Sequence, residues 1–176
     1  MPETEIPDST LADVRPGGPR RAARVSRRVG LALLALVVLL GATTLLGVHT
    51  SSATARAEGY EVRVDYPRIA RAGLDIKWRV TVRHAGGFGS EPITLAVSAR
   101  YFDIFEHQAF YPDPSKSTGD GEMLELEFDP PDGDVFSVDL DAYVQPASQL
   151  GRRGSVVLMD GDRERVRVEY RTWLIP

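Results

Sequence analysis

The sequence predicts an all-β fold, an antiparallel two-sheet sandwich of seven to eight strands, preceded by a single transmembrane helix. Three observations carry that prediction. Residues 29–48 hold no charged side chain, and about 20 apolar residues wound as a helix match the ~30 Å hydrocarbon core of a bilayer. From Tyr60 onward, apolar and polar residues alternate with period two, the signature of strands with one buried and one wet face. Clusters of Gly, Pro and Asp break the alternation at short intervals. The 128 residues after the apolar run suffice for one domain of roughly 100–150 residues and no more.

Residues 1–28 are rich in Pro, Gly, Ser and Arg and read as a disordered cytoplasmic tail. Arg20, Arg21, Arg24, Arg27 and Arg28 stand directly before the apolar run. By the positive-inside rule they hold the N-terminus in the cytoplasm and send the C-terminal domain out. Two other readings stay open. Ala55-Arg56-Ala57 has the form of a signal-peptidase site. Ser26-Arg27-Arg28 is similar to a twin-arginine export signal, although Gly30 stands where an aromatic is usual. The run exceeds the 7–15 apolar residues of an ordinary signal sequence, which favours a retained anchor. All three readings place the domain outside the cytoplasm. Residues 49–58, small and polar, read as a linker, and the sandwich is expected over 59–176.

The strand runs follow in order. Tyr60, Val62, Val64 and Tyr66 alternate with charges. So do Ile76, Trp78, Val80 and Val82, then Leu124, Leu126 and Phe128. Ile93, Leu95, Val97 and Ala99 form a further run. Phe136 to Val144 and Val166 to Leu174 complete the long ones, with a shorter run from Ser155 to Met159. Turn signals separate them at Ala72-Gly73, Gly86-Gly87, Gly119-Asp120-Gly121 and Pro130-Pro131-Asp132-Gly133. Met159-Asp160-Gly161-Asp162 reads as a hairpin. On the wet faces, one strand shows Lys77, Arg79 and Arg83, and another Arg165, Arg167 and Arg171. Glu125 with Glu127 and Asp139 with Asp141 mark acidic strands, so opposite-charge neighbours are expected across the sheets.

The Trp78-Arg79-Val80-Thr81-Val82 strand, the Pro92-Ile93-Thr94-Leu95-Ala96-Val97 strand and the Phe128-Asp129-Pro130-Pro131-Asp132-Gly133-Asp134 turn carry a resemblance. Over roughly residues 60–174 the chain resembles the immunoglobulin-like modules of bacterial surface proteins, the CARDB-like type among them. The resemblance implies an immunoglobulin-like sandwich and a role in adhesion, spacing or assembly at a cell surface, an analogy of fold alone.

Composition excludes several chemistries. Without cysteine there is no disulfide scaffold, no thiolate zinc site and no thiol nucleophile. Residues 49–176 carry 15 basic and 21 acidic residues, a balance that argues against nucleic acid and against a polybasic membrane-surface role for the domain. The excess of Arg over Lys and the lack of Asn read as the coding bias of a GC-rich genome. His49, His84 and His107 are not at ligand spacing, and no nucleophile elbow or phosphate loop is present. No catalytic residue, metal ligand or cofactor is therefore expected. The acidic turns at Asp120-Glu122 and Asp129-Asp134 answer to turn chemistry before calcium.

Tyr101 to Pro114 breaks the alternation with five aromatics in its first eleven residues. Either the chain crosses between sheets there and buries them, or some form a contact surface. The second reading makes Tyr101, Phe105, Phe110 and Tyr111 the candidate partner contacts, since tyrosine is enriched at binding hot spots. The expected function is a non-enzymatic interaction or accessory module in the cell membrane, its partner another membrane or cell-surface protein. A secreted or anchored module for glycan or calcium is the alternative, and an extracytoplasmic enzyme a more distant one.

Overall fold

The protein is described by a computed structural model over residues 21–42, 49–146 and 150–175. The chain divides into two units, Met1–Leu46 and Gly47–Pro176. Among the described residues the first contains one helix, α1 (Arg21–Ala42), long and apolar enough to cross a membrane. At 1.5 Å per residue its 22 residues span about 33 Å. It starts earlier than the expected span of 29–48, so residues 21–28 are helical and do not belong to a tail. Leu, Ala and Arg all favour helix, and nothing between Arg21 and Val29 breaks it. Residues 1–20 and 43–48 lie outside the described residues.

The second unit is mostly strand. Eleven strands, more than the seven or eight expected, form two sheets among the described residues. The first sheet runs β1 (His49–Ala57), β2 (Tyr60–Arg71), β3 (Asp75–His84), β8 (Val135–Val144) and β5 (Phe105–Tyr111), with β11 (Trp173–Ile175) parallel to the end of β2. The second runs β10 (Arg163–Arg171), β9 (Arg153–Asp160), β4 (Ile93–Ser98), β7 (Met123–Phe128) and β6 (Lys116–Gly119). All pairings except that of β11 are antiparallel. The inward residues of both sheets form one hydrophobic cluster, from Val62, Val80 and Val138 on one side to Leu95, Leu126 and Val156 on the other.

The expected linker at 49–58 is a strand. His49–Ala57 pairs with β2 along its whole length, and its burial alternates residue by residue. Ala53, Ala55 and Ala57 lie on the core side. Their side chains are too small to register as a hydrophobic run, so the period carries little hydrophobic contrast. Glu58-Gly59 closes the hairpin with both residues at positive φ, 52° and 81°. That is the type I′ geometry whose twist matches antiparallel strands. The β9–β10 hairpin stands where the sequence placed it, with Asp160 paired to Arg163 and Gly161 at φ 55°.

The chain changes sheet after β4, through the short helix α2 (Ala99–Phe102), to reach β5. The last of its several changes of sheet is at Thr172, where β10 leaves the second sheet and β11 joins the first. Both crossings bring polar groups inside. The Tyr101 hydroxyl lies 2.9 Å from the Thr172 hydroxyl, and the Trp78 indole N–H donates to the Tyr170 hydroxyl at 2.9 Å. Among the described residues no buried side-chain nitrogen or oxygen lacks a partner.

Candidate functional site

The four residues singled out as partner contacts do not share a surface. Tyr101 is fully buried, and Phe105 is buried beside it. Both belong to a lattice of rings that fills the space between the sheets. Tyr101 meets Tyr170 at 4.9 Å and Phe105 at 5.4 Å, while Trp78 meets Phe102 at 5.5 Å, and edge-on contacts predominate. Phe110 packs partly against this core, 6.2 Å from Trp78. Burial raises the Tyr101 and Tyr170 phenols well above the ordinary range, so both are neutral donors and acceptors. The contact-surface expectation is thus corrected for Tyr101 and Phe105: the crossing between sheets takes them inside. Tyr111 alone is open to solvent, 79% exposed.

Tyr111 ends a polar row that the strand register builds across the outer face of the first sheet. Ser52, Asp65, Arg79, Asp139 and Tyr111 are successive cross-strand partners on β1, β2, β3, β8 and β5. Arg79 holds Asp139 through two bonds, one of them from Nη2 to Oδ2 at 3.0 Å. Arg63 donates to both Asp65 and Ser52 at 3.0 Å. The Arg79 guanidinium is held above its ordinary pKa by the Asp139 hydrogen bond and charge. The basic strand β3 and the acidic strand β8 are therefore neighbours. The other basic strand, β10, is far from the acidic β7 in its sheet. Its arginines pair elsewhere: Arg165 with Asp160 and Arg167 with Glu164 close by in the chain, and Arg163 with Glu58 of the β1–β2 hairpin. The bulge between Glu164 and Val166 lets residues three apart on one strand meet.

A cleft of about 410 Å³ opens at the end of the domain that carries the β1–β2 and β9–β10 hairpins. Ile93 and Leu158 line it, with Tyr60, Phe88, Glu91, Glu127, Asp160 and Arg165 around them. Tyr60 is stacked on His84 at 4.1 Å, and the Arg165 guanidinium lies 5.0 Å from the centre of the Tyr60 ring. His84 Nδ1 is 2.6 Å from the Gly87 carbonyl oxygen. A carbonyl only accepts, so the proton sits on Nδ1 and His84 serves the turn. Sequence reasoning missed this cleft because its residues come from four separate segments. His49 is a strand residue opposite Ile69, and the side chain of His107 lies outside the described residues.

The acidic turn at Asp120 is accounted for locally. Its Oδ1 accepts the backbone N–H groups of Glu122 and Met123 at 2.8 and 2.7 Å, which lowers its pKa. Asp129, Asp132 and Asp134 stay on the β7–β8 loop. Among the described residues no three His, Asp or Glu side chains are grouped to hold a metal.

No family model matches the chain, and comparison with curated proteins finds no match. On its own evidence, the chain is an antiparallel β protein with one N-terminal apolar helix.

Proposed function

We propose that the chain is a membrane-anchored, extracytoplasmic module with an immunoglobulin-like sandwich that acts by binding and not by catalysis. The observation that carries this reading is α1, none of whose residues is buried. From Val29 to Ala42 the helix carries no charge on any side, and such a stretch is stable only in an apolar medium; with the uncharged residues that follow in sequence to Val48 it is long enough for a bilayer. Arg21, Arg24, Arg27 and Arg28 sit in its first two turns, with no acid in the first. Cations are unfavourable at a helix N-terminus, by a few tenths of a kcal/mol each. Helix stability does not explain them, whereas retention in the cytoplasm does. Cleavage after Ala57 would remove all of β1, which favours an uncleaved chain. The partner is another protein of the same membrane or cell surface, met by the outer face of the first sheet, where Tyr111 stands beside the Arg79–Asp139 pair.

The test exploits the lack of native cysteine. One thiol is placed in the tail by Ser9→Cys and, separately, one on β6 by Ser117→Cys. A membrane-impermeant maleimide applied to intact cells should label the second and spare the first until the cells are lysed. Labelling of the first only, or release of the protein by alkaline carbonate, would overturn the reading.

The cleft beside Tyr60 and Phe88 favours a second reading, an anchored glycan-binding module. Aromatic faces flanked by carboxylates are the usual means of holding a sugar ring. Loss of binding to cell-envelope polysaccharide in Tyr60→Ala, with unchanged thermal stability, would support it.

A further inference from the structure

Four exposed apolar residues of the second unit, Leu74, Tyr143, Leu150 and Trp173, share one end of the domain. The register fixes this placement. Trp173 is opposite Ile69, which is opposite His49, the first residue of β1. Tyr143 is opposite Asp75, where β3 begins, and Leu74 immediately precedes it. Leu150 lies just before β9, whose first residue, Arg153, is opposite Arg171 at the end of β10. This is the end at which the chain arrives from α1, and only six residues, 43–48, separate Ala42 from His49. Fully extended, such a segment reaches about 25 Å.

The charges at this end are of one sign where Trp173 and Leu150 lie. Arg153 and Arg171 face each other directly across β9 and β10, an arrangement that works against an antiparallel pair. Arg152 is adjacent. None of the three has a carboxylate partner among the described residues, although Arg163, Arg165 and Arg167, higher on the same strand β10, are all paired. The Arg171 guanidinium stacks 3.6 Å from the centre of the Trp173 ring, which is 50% exposed. Leu150 is 79% exposed. Gly151 fixes the loop against the strand crossing: a Cβ there would stand 2.0 Å from the Thr172 carbonyl oxygen. Thr172 N–H also donates to the Arg152 carbonyl at 2.9 Å. Glu58, Asp129, Asp132, Asp134, Asp160 and Asp162 lie at the other end, while Asp75 and Glu106 are both opposite Tyr143 at this one, away from the arginines around Trp173.

We propose that Leu150, Arg152, Arg153, Arg171 and Trp173 form a surface that docks on an anionic bilayer. The inference rests on the reading of α1 as a membrane anchor. Trp173 and Leu150 enter the headgroup level, where amphipathic indoles concentrate, and the three arginines meet lipid phosphates. The whole-domain charge count concealed this because it averages a local cluster of arginines with acids elsewhere on the domain. Within the domain, the cleft beside Tyr60 lies at the end opposite this surface. Each arginine near an anionic surface strengthens attachment about fivefold, so the three together contribute roughly a hundredfold.

The test uses the full chain in vesicles of phosphatidylcholine, with or without about 30% phosphatidylglycerol, the lipids carrying a bromine quencher high on the acyl chain. The protein has two tryptophans, and Trp78 is buried in the core, so it serves as an internal reference. Trp173 emission should be quenched in the anionic vesicles only. The quenching should vanish in Arg152→Gln/Arg153→Gln/Arg171→Gln, and in about 0.5 M salt. The triple variant relieves a like-charge pair, so its melting temperature should not fall. A Trp173→Phe chain assigns the signal. A wild-type chain that floats with neutral vesicles but shows no anionic quenching, or a triple variant quenched like the wild type, overturns the docking surface while leaving the anchor standing. A chain that floats with anionic vesicles alone overturns the anchor and retains the surface. A chain that floats with neither overturns both.

Discussion

Trp78 on β3 and Tyr170 on β10 join the two sheets through one hydrogen bond, from the indole N–H to the phenolic oxygen at 2.9 Å. Trp78 is 1% exposed, so no water can replace that partner. Tyr170→Phe keeps the ring and its 4.9 Å contact with Tyr101 but leaves the indole donor unsatisfied. The cost of a buried orphan donor is about 1–3 kcal/mol. Chemical denaturation should show a loss of that size with an unchanged m-value. No measurable loss would mean that the bond does not brace the sheets.

Strand β1 belongs to the domain and is not a tether. A chain beginning at Glu58 loses nine paired residues and leaves the other edge of β2 open along its length. An open, apolar-backed edge recruits other chains. Compared with a chain beginning at Gly47, the shorter one should be less stable by at least about 2 kcal/mol. It should also elute as oligomers in size-exclusion chromatography. Equal stability of the two would return residues 49–57 to linker status.

Glu58 adopts φ 52°, the left-handed region that disfavours side chains with a Cβ. Asn tolerates it best after Gly, and Asn-Gly is the preferred pair for this turn. Glu58→Asn gives up the exposed ion pair with Arg163, which is worth about 0–1 kcal/mol. Relief of the backbone outweighs that loss, and a net gain of about 0.5 kcal/mol is expected. Thermal denaturation would register it as a rise of roughly 2–4 °C. A fall in melting temperature would show the ion pair to be the stronger effect.

Asp120 gives the domain part of its sensitivity to acid. Its two backbone N–H bonds hold its folded pKa below the usual 3.8. Such a carboxyl contributes stability above its unfolded pKa and loses it as pH falls through the folded one. Asp120→Ala should therefore lower stability at neutral pH and flatten the decline below about pH 4. Denaturation midpoints of both proteins between neutrality and acid would measure this. Parallel curves would assign the acid sensitivity to other carboxyls.

Much of the strand content was legible because burial on one face forces period two. Ile76-Lys77-Trp78-Arg79 and Phe136-Ser137-Val138-Asp139 announce both their strands and their wet faces. The α1 helix was legible from the apolar run, but its start was not, because arginine is as good a helix former as leucine. β1 stayed hidden because Ser, Thr and Ala supply the period with almost no hydrophobic contrast.

Sequence by itself determined that this chain has one apolar helix and one antiparallel β domain, since both follow from local periodicity and from the absence of charge. Only the tertiary structure decided where its aromatics and arginines go. Tyr101 and Phe105 are inside because the chain crosses between sheets at α2; the broken alternation there allowed either a crossing or a contact surface, and only the packing of the two sheets chose between them. Arg79 meets Asp139 while Arg171 meets Arg153 because register is set by the packing of whole strands, which brings together residues far apart in the chain.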